Sequence, residues 1–454
     1  MREEDMKKLL ALTAVFFFVF TIIGSAALFS DVNGHWAEPY IEALTMEGVI
    51  NGVSDDSFAP DSSVTREQFL KMLMIVSAKS TGERMLFENP PKSDEGELSP
   101  FADVSPDRWS YYFIKKAYGT IIYTEEYGEK FEPVKYITRE EAAVWMSRAL
   151  ELSPGEPDFT DNDLIGKKDL VGAAAASGLI TGFPDKSFRP GYTLTRGEAS
   201  VMLLRAGRLN AKLVSASYTE TVKEFTRDLY LDGTEENVKI TADGESYAVT
   251  VNDLTVLGGQ CETAASRYYV IDIDNTDSFK EIAVVEKDFG DSALAIYRYT
   301  GKTLYLMGMV ESVGDIAVRT DSTPIGDDWG AVSINMDGSI TANIGVQFVH
   351  TMLIRRQFKL NSKMRIEPVG TEFYTIGKYS SFTVKNDLES SYSDEEHPNI
   401  SLKPGYTGSI VKTDLKNWIY IETGSGDKGW IYVNEGLVNG LNLSDYLDGL
   451  NYAG

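Results

Sequence analysis

Phe29-Ser-Asp31-Val-Asn-Gly-His-Trp36, then Gly48-Val-Ile50-Asn-Gly52, Phe58-Ala-Pro60 and Val64-Thr65-Arg66-Glu67, is the stretch whose reading decides the fold, because its landmarks return twice. Adding 73 carries Trp36, Phe58, Pro60, Thr65, Arg66 and Glu67 onto Trp109, Phe131, Pro133, Thr138, Arg139 and Glu140. Adding 130 carries Phe29, Asp31, Gly48, Gly52, Phe58, Pro60, Thr65 and Arg66 onto Phe159, Asp161, Gly178, Gly182, Phe188, Pro190, Thr195 and Arg196. Three such registers mark an array of supersecondary units that bury their faces on one another.

Within a copy, Trp36, Tyr40, Ile41 and Leu44 trace one helical stripe, and Phe69, Met72, Leu73 and Val76 trace a second, so each copy reads as two helices. Thr65 with Glu67-Gln68 fits an N-terminal capping arrangement. Arg66, Arg139 and Arg196 then stand at helix N-termini, where free N–H groups and the peptide dipoles favour an anion, and they predict surface-directed donors for an anionic ligand. The plainer reading is a surface ion pair with the adjacent acid, worth about 0–1 kcal/mol, but three equivalent arginines favour a ligand role. Trp36 and Trp109 divide evenly between core and sugar platform. Asp31, Asp103 and Asp161 read as caps of the first helix or as acceptors of sugar hydroxyls. The first copy keeps Asp31, Trp36, the turn glycines and Arg66 together, whereas the third has Gly166 in place of the Trp and the second has Ile121 and Glu125 in place of Gly48 and Gly52, which ranks Arg66 above Arg196.

On these residues the chain resembles the S-layer homology repeats of bacterial cell-surface proteins, over about 180 of its 454 residues. The resemblance implies non-covalent anchoring of an exported protein to a secondary cell-wall polysaccharide, typically an acidic one bearing pyruvate ketals. Asp31, Trp36, Arg66, Asp103, Trp109, Arg139, Asp161 and Arg196 are its candidate glycan-binding residues.

Lys7-Lys8, an apolar run from Leu9 to Ile23 and Gly24-Ser25-Ala26-Ala27 read as an export signal cleaved near Ala27, with an uncleaved anchor as the alternative. No other stretch is apolar enough to span a membrane. The net charge of −25 argues against nucleic acid or a bare anionic membrane as partner, and it requires an acidic glycan to be held by a few placed cations. A single cysteine, Cys261, excludes an intrachain disulfide framework, and His35, His350 and His397 lack zinc-ligand spacing. The Lys79–Pro100 stretch reads as a polar loop or linker.

After Leu213 the pattern alternates and predicts strands. Two acid-rich segments, beginning at Asp228 and at Asp272, lie 44 residues apart, and the first resembles the acidic loops of integrin-type or propeller repeats. Calcium on Asp228, Asp232, Glu236, Asp272, Asp274, Asp277 and Glu281 is the minor reading and solvated acidic turns the major one, since Tyr230 occupies a ligand position; a weak third echo lies near Asp315 to Asp328. Leu402-Lys-Pro-Gly405, Asn417-Trp418-Ile-Tyr-Ile421 and Trp430-Ile-Tyr-Val433 resemble a bacterial Src-homology-3-like barrel, which implies a contact with peptidoglycan; Trp418 and Trp430 serve equally well as barrel core.

The expectation is an α+β multidomain chain: signal peptide 1–27; repeats 28–76, 101–152 and 157–209, with a linker or insert over 77–100; a propeller-like or sandwich β domain over 215–358; a small barrel over 360–440; and a tail over 441–454. No nucleophile elbow, phosphate loop or singled-out carboxylate pair points to catalysis. A wall-anchored surface protein of the S-layer kind is the preferred function, and a wall-active hydrolase with a catalytic β domain is its rival.

Overall fold

The computed structural model describes residues 28–91, 99–218, 220–244, 246–260, 267–288, 291–313, 316–320, 330–348, 351–377, 380–389, 391–435 and 437–450. The export signal, Cys261, His350 and most of the third acidic echo lie outside the described residues. No helix among those described is long and apolar enough to cross a membrane.

Each copy opens with a helix, α1 (Glu38–Met46), α4 (Tyr111–Ala117) or α7 (Lys168–Ala176), and closes with another, α2 (Arg66–Ser77), α6 (Arg139–Ala149) or α8 (Arg196–Ser215); α3 (Thr81–Glu88) and α5 (Thr124–Tyr127) are additions. Thr65, Thr138 and Thr195 close capping boxes, their hydroxyls accepting from the backbone N–H of Gln68, Glu141 and Glu198. The box of the first copy therefore closes on Gln68. Just before these caps the three copies join in a ring: Val64 N–H donates to Leu194 O (3.0 Å), Leu194 to Ile137 O (3.1 Å) and Ile137 to Val64 O (3.1 Å). All three side chains are fully buried.

The ring also consumes the first-turn amides. Arg66 and Glu67 N–H donate to Lys135 and Pro133 O, Arg139 and Glu140 N–H to Tyr192 and Pro190 O, and Arg196 and Gly197 N–H to Ser62 and Pro60 O. The expectation of free helix N-termini as anion sites is thus corrected, because the neighbouring copy satisfies the orphan donors.

The recurring Phe and Asp have a common explanation. Phe29, Phe101 and Phe159 pack on Phe58, Phe131 and Phe188, at centroid distances of 5.6, 5.4 and 5.2 Å. Two residues on, the carboxylates of Asp31, Asp103 and Asp161 each accept two backbone N–H groups: from Phe58 and Ala59, from Phe131 and Glu132, and from Phe188 and Arg189. These aspartates fasten the Phe-x-Pro loop. They cap no first helix, and their oxygens are engaged by the protein itself. Burial opposes the charge on Asp31, yet the hydrogen bonds from Phe58, Ser57 and Ala59 outweigh it and hold the carboxyl below its ordinary range.

Two boundaries move. The 77–100 insert contains α3, so it is not wholly loop, and its Ser93–Glu97 run lies outside the described residues. Helix α8 continues past Leu209 to Ser215, with Asn210, 5% exposed, donating from Nδ2 to Ala78 O (2.7 Å) and Val76 O (3.3 Å). A helical fragment ending at Ser215 is expected to be more stable than one ending at Leu209, by about 1–3 kcal/mol, because the shorter one strips two buried carbonyls of their donor; thermal melting of the two fragments measures the difference.

The strand half consists of stacked sheets. A four-stranded antiparallel meander occupies Glu220–Arg227, Glu236–Ala242, Ser246–Val251 and Leu254–Gln260, and a second occupies Tyr268–Ile271, Glu281–Asp288, Asp291–Tyr299 and Leu304–Val313. The second is buried on both faces: Ile282, Val284 and Tyr297 pack with Val238, Ile240 and Val249 of the first, while Ala283, Val285, Leu294 and Ile296 pack with Val332, Ile340 and Ala342 of the next. That next sheet has 11 strands between Ala317 and Asp448. The strand Thr351–Leu360 pairs with Tyr374–Ile376, which pairs with Thr407–Thr413, so a cut at 358–360 would pass through a strand of a continuous sheet.

Among the described residues no sheet closes on itself, which corrects the expected barrel. The outer edge of Lys428–Tyr432 is covered by residues 398–400: Trp430 N–H donates to Pro398 O (2.9 Å), and Ile400 N–H donates to Trp430 O (3.2 Å). The helical ring rests on the strands through α8 against Leu254–Gln260, and through Arg365, whose Nη1 donates to Met46 O (3.3 Å) and Leu306 O (2.8 Å).

Candidate functional site

The three arginines reach across the ring in one direction, each from its own copy to the next. Arg66 donates to Phe131 O (2.8 Å), Arg139 to Phe188 O (2.9 Å) and Thr181 O (3.1 Å), and Arg196 to Phe58 O (2.8 Å) and Asn51 O (2.9 Å). They are not surface-directed. Arg66 and Arg139 are 5% and 8% exposed, and Arg196 is half-buried.

Their remaining surroundings differ. Arg139 lies at the base of a groove of about 340 Å³ that draws on all three copies: Trp36 and Tyr40 from the first, Arg139 from the second, and Leu179–Pro184, Glu198, Met202 and Arg205 from the third. Its guanidinium lies 4.7 Å from the Phe183 ring and 5.2 Å from the Phe188 ring. Among the described contacts it forms no ion pair; burial pushes its pKa down, with Glu198 and Asp161 opposing the shift and Arg189 adding to it. A cation in that position gains from any anion brought beside it. Trp36 is 58% exposed, which decides its location against the core.

The register of the ring places Trp109, 50% exposed, in the corresponding position relative to Arg196. Arg196 lies 4.2 Å from the Phe58 ring, and burial lowers its pKa while Asp31 opposes the shift. Arg66 is enclosed instead. Its Nε donates to Glu141 Oε1 (3.0 Å), its Nη2 reaches the same oxygen, its Nη1 donates to Glu132 Oε2 (3.2 Å), and the Tyr127 ring lies 4.9 Å away.

The acid that follows Arg66 and Arg139 also joins copies; Arg196 is followed by Gly197. Glu67, 5% exposed, accepts from Arg108 Nε (2.7 Å) and Nη2 (2.8 Å) and from Ser110 Oγ (2.6 Å); Glu140 accepts from Lys167 N–H (2.7 Å). Gly166, in the Trp position, sits where an added Cβ would lie 3.1 Å from Glu140 Oε1.

Short helix α5 replaces the glycine turn in the second copy and brings Glu126 to Arg148 (2.5 Å) and Lys167 (2.7 Å). The hydrogen bond from Arg148 is the chief reason the Glu126 carboxyl falls from 4.5 to about 2. Its folded pKa being depressed, its stabilisation is complete above about pH 4.5 and disappears as pH falls towards 2. Acid titration of melting temperature is expected to fall less steeply in that window for Glu126→Gln than for the parent.

The acidic segments are turns and ion pairs. Asp228 accepts from Gly233 N–H, Asp232 from Thr234 N–H, Glu236 from Leu229 N–H, and Asp274 from Thr276 N–H and Oγ1. Asp277 and Glu281 pair with Arg298, which is 1% exposed, and Asp272 follows the strand Tyr268–Ile271. Among the described residues no group of three or more His, Cys, Asp or Glu side chains is arranged to hold a metal ion. In the last sheet Trp418, 7% exposed, stacks on His397 at 4.3 Å, while Trp430 is half-buried against Phe373 at 4.8 Å.

Residues 28–70 and 159–200 match the S-layer homology domain. These are the first and third copies, and the ring places the second in the same register. The chain is 29% identical over 191 residues to "Exoglucanase XynX" of Acetivibrio thermocellus, covering 40% of this chain and 16% of that protein. It is 26% identical over 305 residues to the "Surface-layer 125 kDa protein" of Lysinibacillus sphaericus (62% and 24%). It is 31% identical over 104 residues to the "Cellulosome-anchoring protein" of A. thermocellus (23% and 20%). The chain spans about a quarter or less of the length of these relatives.

Tyr40, Phe183 and Arg205 were missed as groove residues, Arg189 as the cation 3.9 Å from the Phe183 ring, and Glu132, Glu141 and Tyr127 as the enclosure of Arg66. One signal for them was available. Aligning the copies at Phe-x-Pro sets Ala59, Glu132 and Arg189 at one position.

Proposed function

We propose that the chain is an exported surface protein whose helical ring holds it on the cell wall by binding a carboxylate-bearing secondary polysaccharide, of the pyruvate-ketal class. The observation that carries this reading is Arg139, a cation without a described carboxylate partner, at the base of a groove edged by the exposed Trp36. A ring face of Trp36 or Phe183 offers a sugar an apolar surface, while the guanidinium offers its carboxylate charged donors. The match to the S-layer homology domain and the surface-layer and anchoring names among the relatives support the same reading. Leader cleavage near Ala27 belongs to this proposal.

Both halves are assigned binding rather than catalysis, although the relatives include glycosidases. The test compares the full chain with one lacking residues 28–215, each titrated with purified anionic wall polysaccharide and then incubated with peptidoglycan. Binding by the full chain alone, with no sugars released by either, supports the proposal. Sugar release by the strand half would favour a wall-active hydrolase.

A further inference from the structure

We infer that the three arginine positions of the ring are unequal because of charge, and that the position at Arg66 is shut by the chain's own carboxylates acting as an internal ligand. The inference rests on the anchoring role proposed for the Arg139 groove and goes on to its valency.

Two positions set the difference. The residue between the loop Phe and Pro, which borders the incoming guanidinium, is Glu132 at Arg66, Arg189 at Arg139 and Ala59 at Arg196. The capping-box residue of the receiving copy is Glu141 at Arg66, Glu198 at Arg139 and Gln68 at Arg196. Arg66 therefore meets two acids, and both bind it: Nε and Nη2 converge on Glu141 Oε1, and Nη1 takes Glu132 Oε2. Multiple N–H donors on carboxylate oxygens are what an acidic sugar would ask of this guanidinium, so the site is already filled from within. Tyr127, at 4.9 Å, covers it, and the nearby Glu126 is itself committed to Arg148 and Lys167.

An external carboxylate would have to displace two internal ones, Glu141 and the Glu132 that Arg66 shares with Lys135, both held at high effective concentration by the fold. At Arg139 the corresponding loop residue is a cation, and Glu198 favours the charge from a distance without forming a described ion pair or hydrogen bond to the guanidinium. At Arg196 both positions are neutral. The ring should accordingly engage an anionic polymer at Arg139, with Arg196 able to follow, and not at Arg66.

The fold supplies its own control. Gln68 already serves in the capping box of the first copy, and Ala59 already stands between Phe58 and Pro60, so Glu141→Gln and Glu132→Ala install residues the ring tolerates at equivalent positions. The experiment is titration calorimetry of the full chain and of the Glu132→Ala/Glu141→Gln variant with a methyl glycoside carrying a pyruvate ketal, and with its methyl ester as neutral control. Thermal melting checks the fold, with Glu132→Ala alone as arbiter should the double variant melt early. The expected result is a parent that binds with fewer than three sites and a variant that gains one more, absent with the ester. Unchanged stoichiometry in a folded variant, or three sites in the parent, overturns the inference and leaves the anchoring role standing. Failure of the parent to bind the ketal glycoside at all removes the anchoring role, and this inference falls with it.

Discussion

Replacing Arg139 with alanine is expected to weaken binding of the full chain to anionic wall polysaccharide by about ten- to a hundredfold, the loss of a charged hydrogen bond being worth roughly 1.5–3 kcal/mol. The guanidinium also donates to Phe188 O and Thr181 O, so the variant should melt earlier, and circular dichroism must show it folded at the titration temperature. Arg139→Lys keeps the charge but not the planar fork, and should retain part of the affinity. Trp36→Ala, which removes an exposed ring, is expected to weaken binding with little effect on melting. Arg66→Ala should do the reverse: binding stays within about twofold, while stability falls because the largely buried Glu141 loses its cation, Glu132 keeping Lys135. An equal loss of binding in the Arg66 and Arg139 variants would mean that the guanidinia act only through the ring.

The second large effect lies in the strand half. Arg298 is 1% exposed and Glu281 is 0% exposed; Nε of Arg298 donates to Glu281 Oε1 at 2.8 Å, and Asp277 Oδ2 lies 3.0 Å from its Nη2. Arg298→Ala leaves a buried carboxylate without its cation and is expected to cost about 3–5 kcal/mol, whereas Glu281→Gln combined with Arg298→Met should cost much less. Urea unfolding of the three chains measures this. The pair also explains the second acidic segment: Asp277 and Glu281 read in sequence chiefly as solvated turn acids, with calcium the minor reading, and the side chain that claims them stands on another strand.

The helical half was legible because its repeats are self-referential. Phe29, Asp31, Phe58, Thr65 and Arg66 recur since each performs one local task in every copy, and subtraction finds them. What subtraction cannot supply is the partner across the ring. Arg66 in the most complete copy looked the strongest ligand residue, yet it points into the second copy, where Glu132 and Glu141 await it. Trp36 serves a groove whose cation comes from the second copy and whose Phe183 comes from the third. In the strand half, alternation located the strands but left pairing open. Thr407–Thr413 shares one edge between Tyr374–Ile376 and Ser381–Val384, and residues 398–400 cover the free edge of Lys428–Tyr432, so an expected barrel is an open sheet.

The measurement that bears most directly on anchoring is co-sedimentation of the full chain with bacterial wall sacculi before and after the secondary polysaccharide has been stripped from them. The chain should pellet with intact sacculi, stay in the supernatant with stripped ones, and lose its pelleting when Arg139 is replaced by alanine. Equal pelleting with intact and stripped sacculi would contradict anchoring through the polysaccharide.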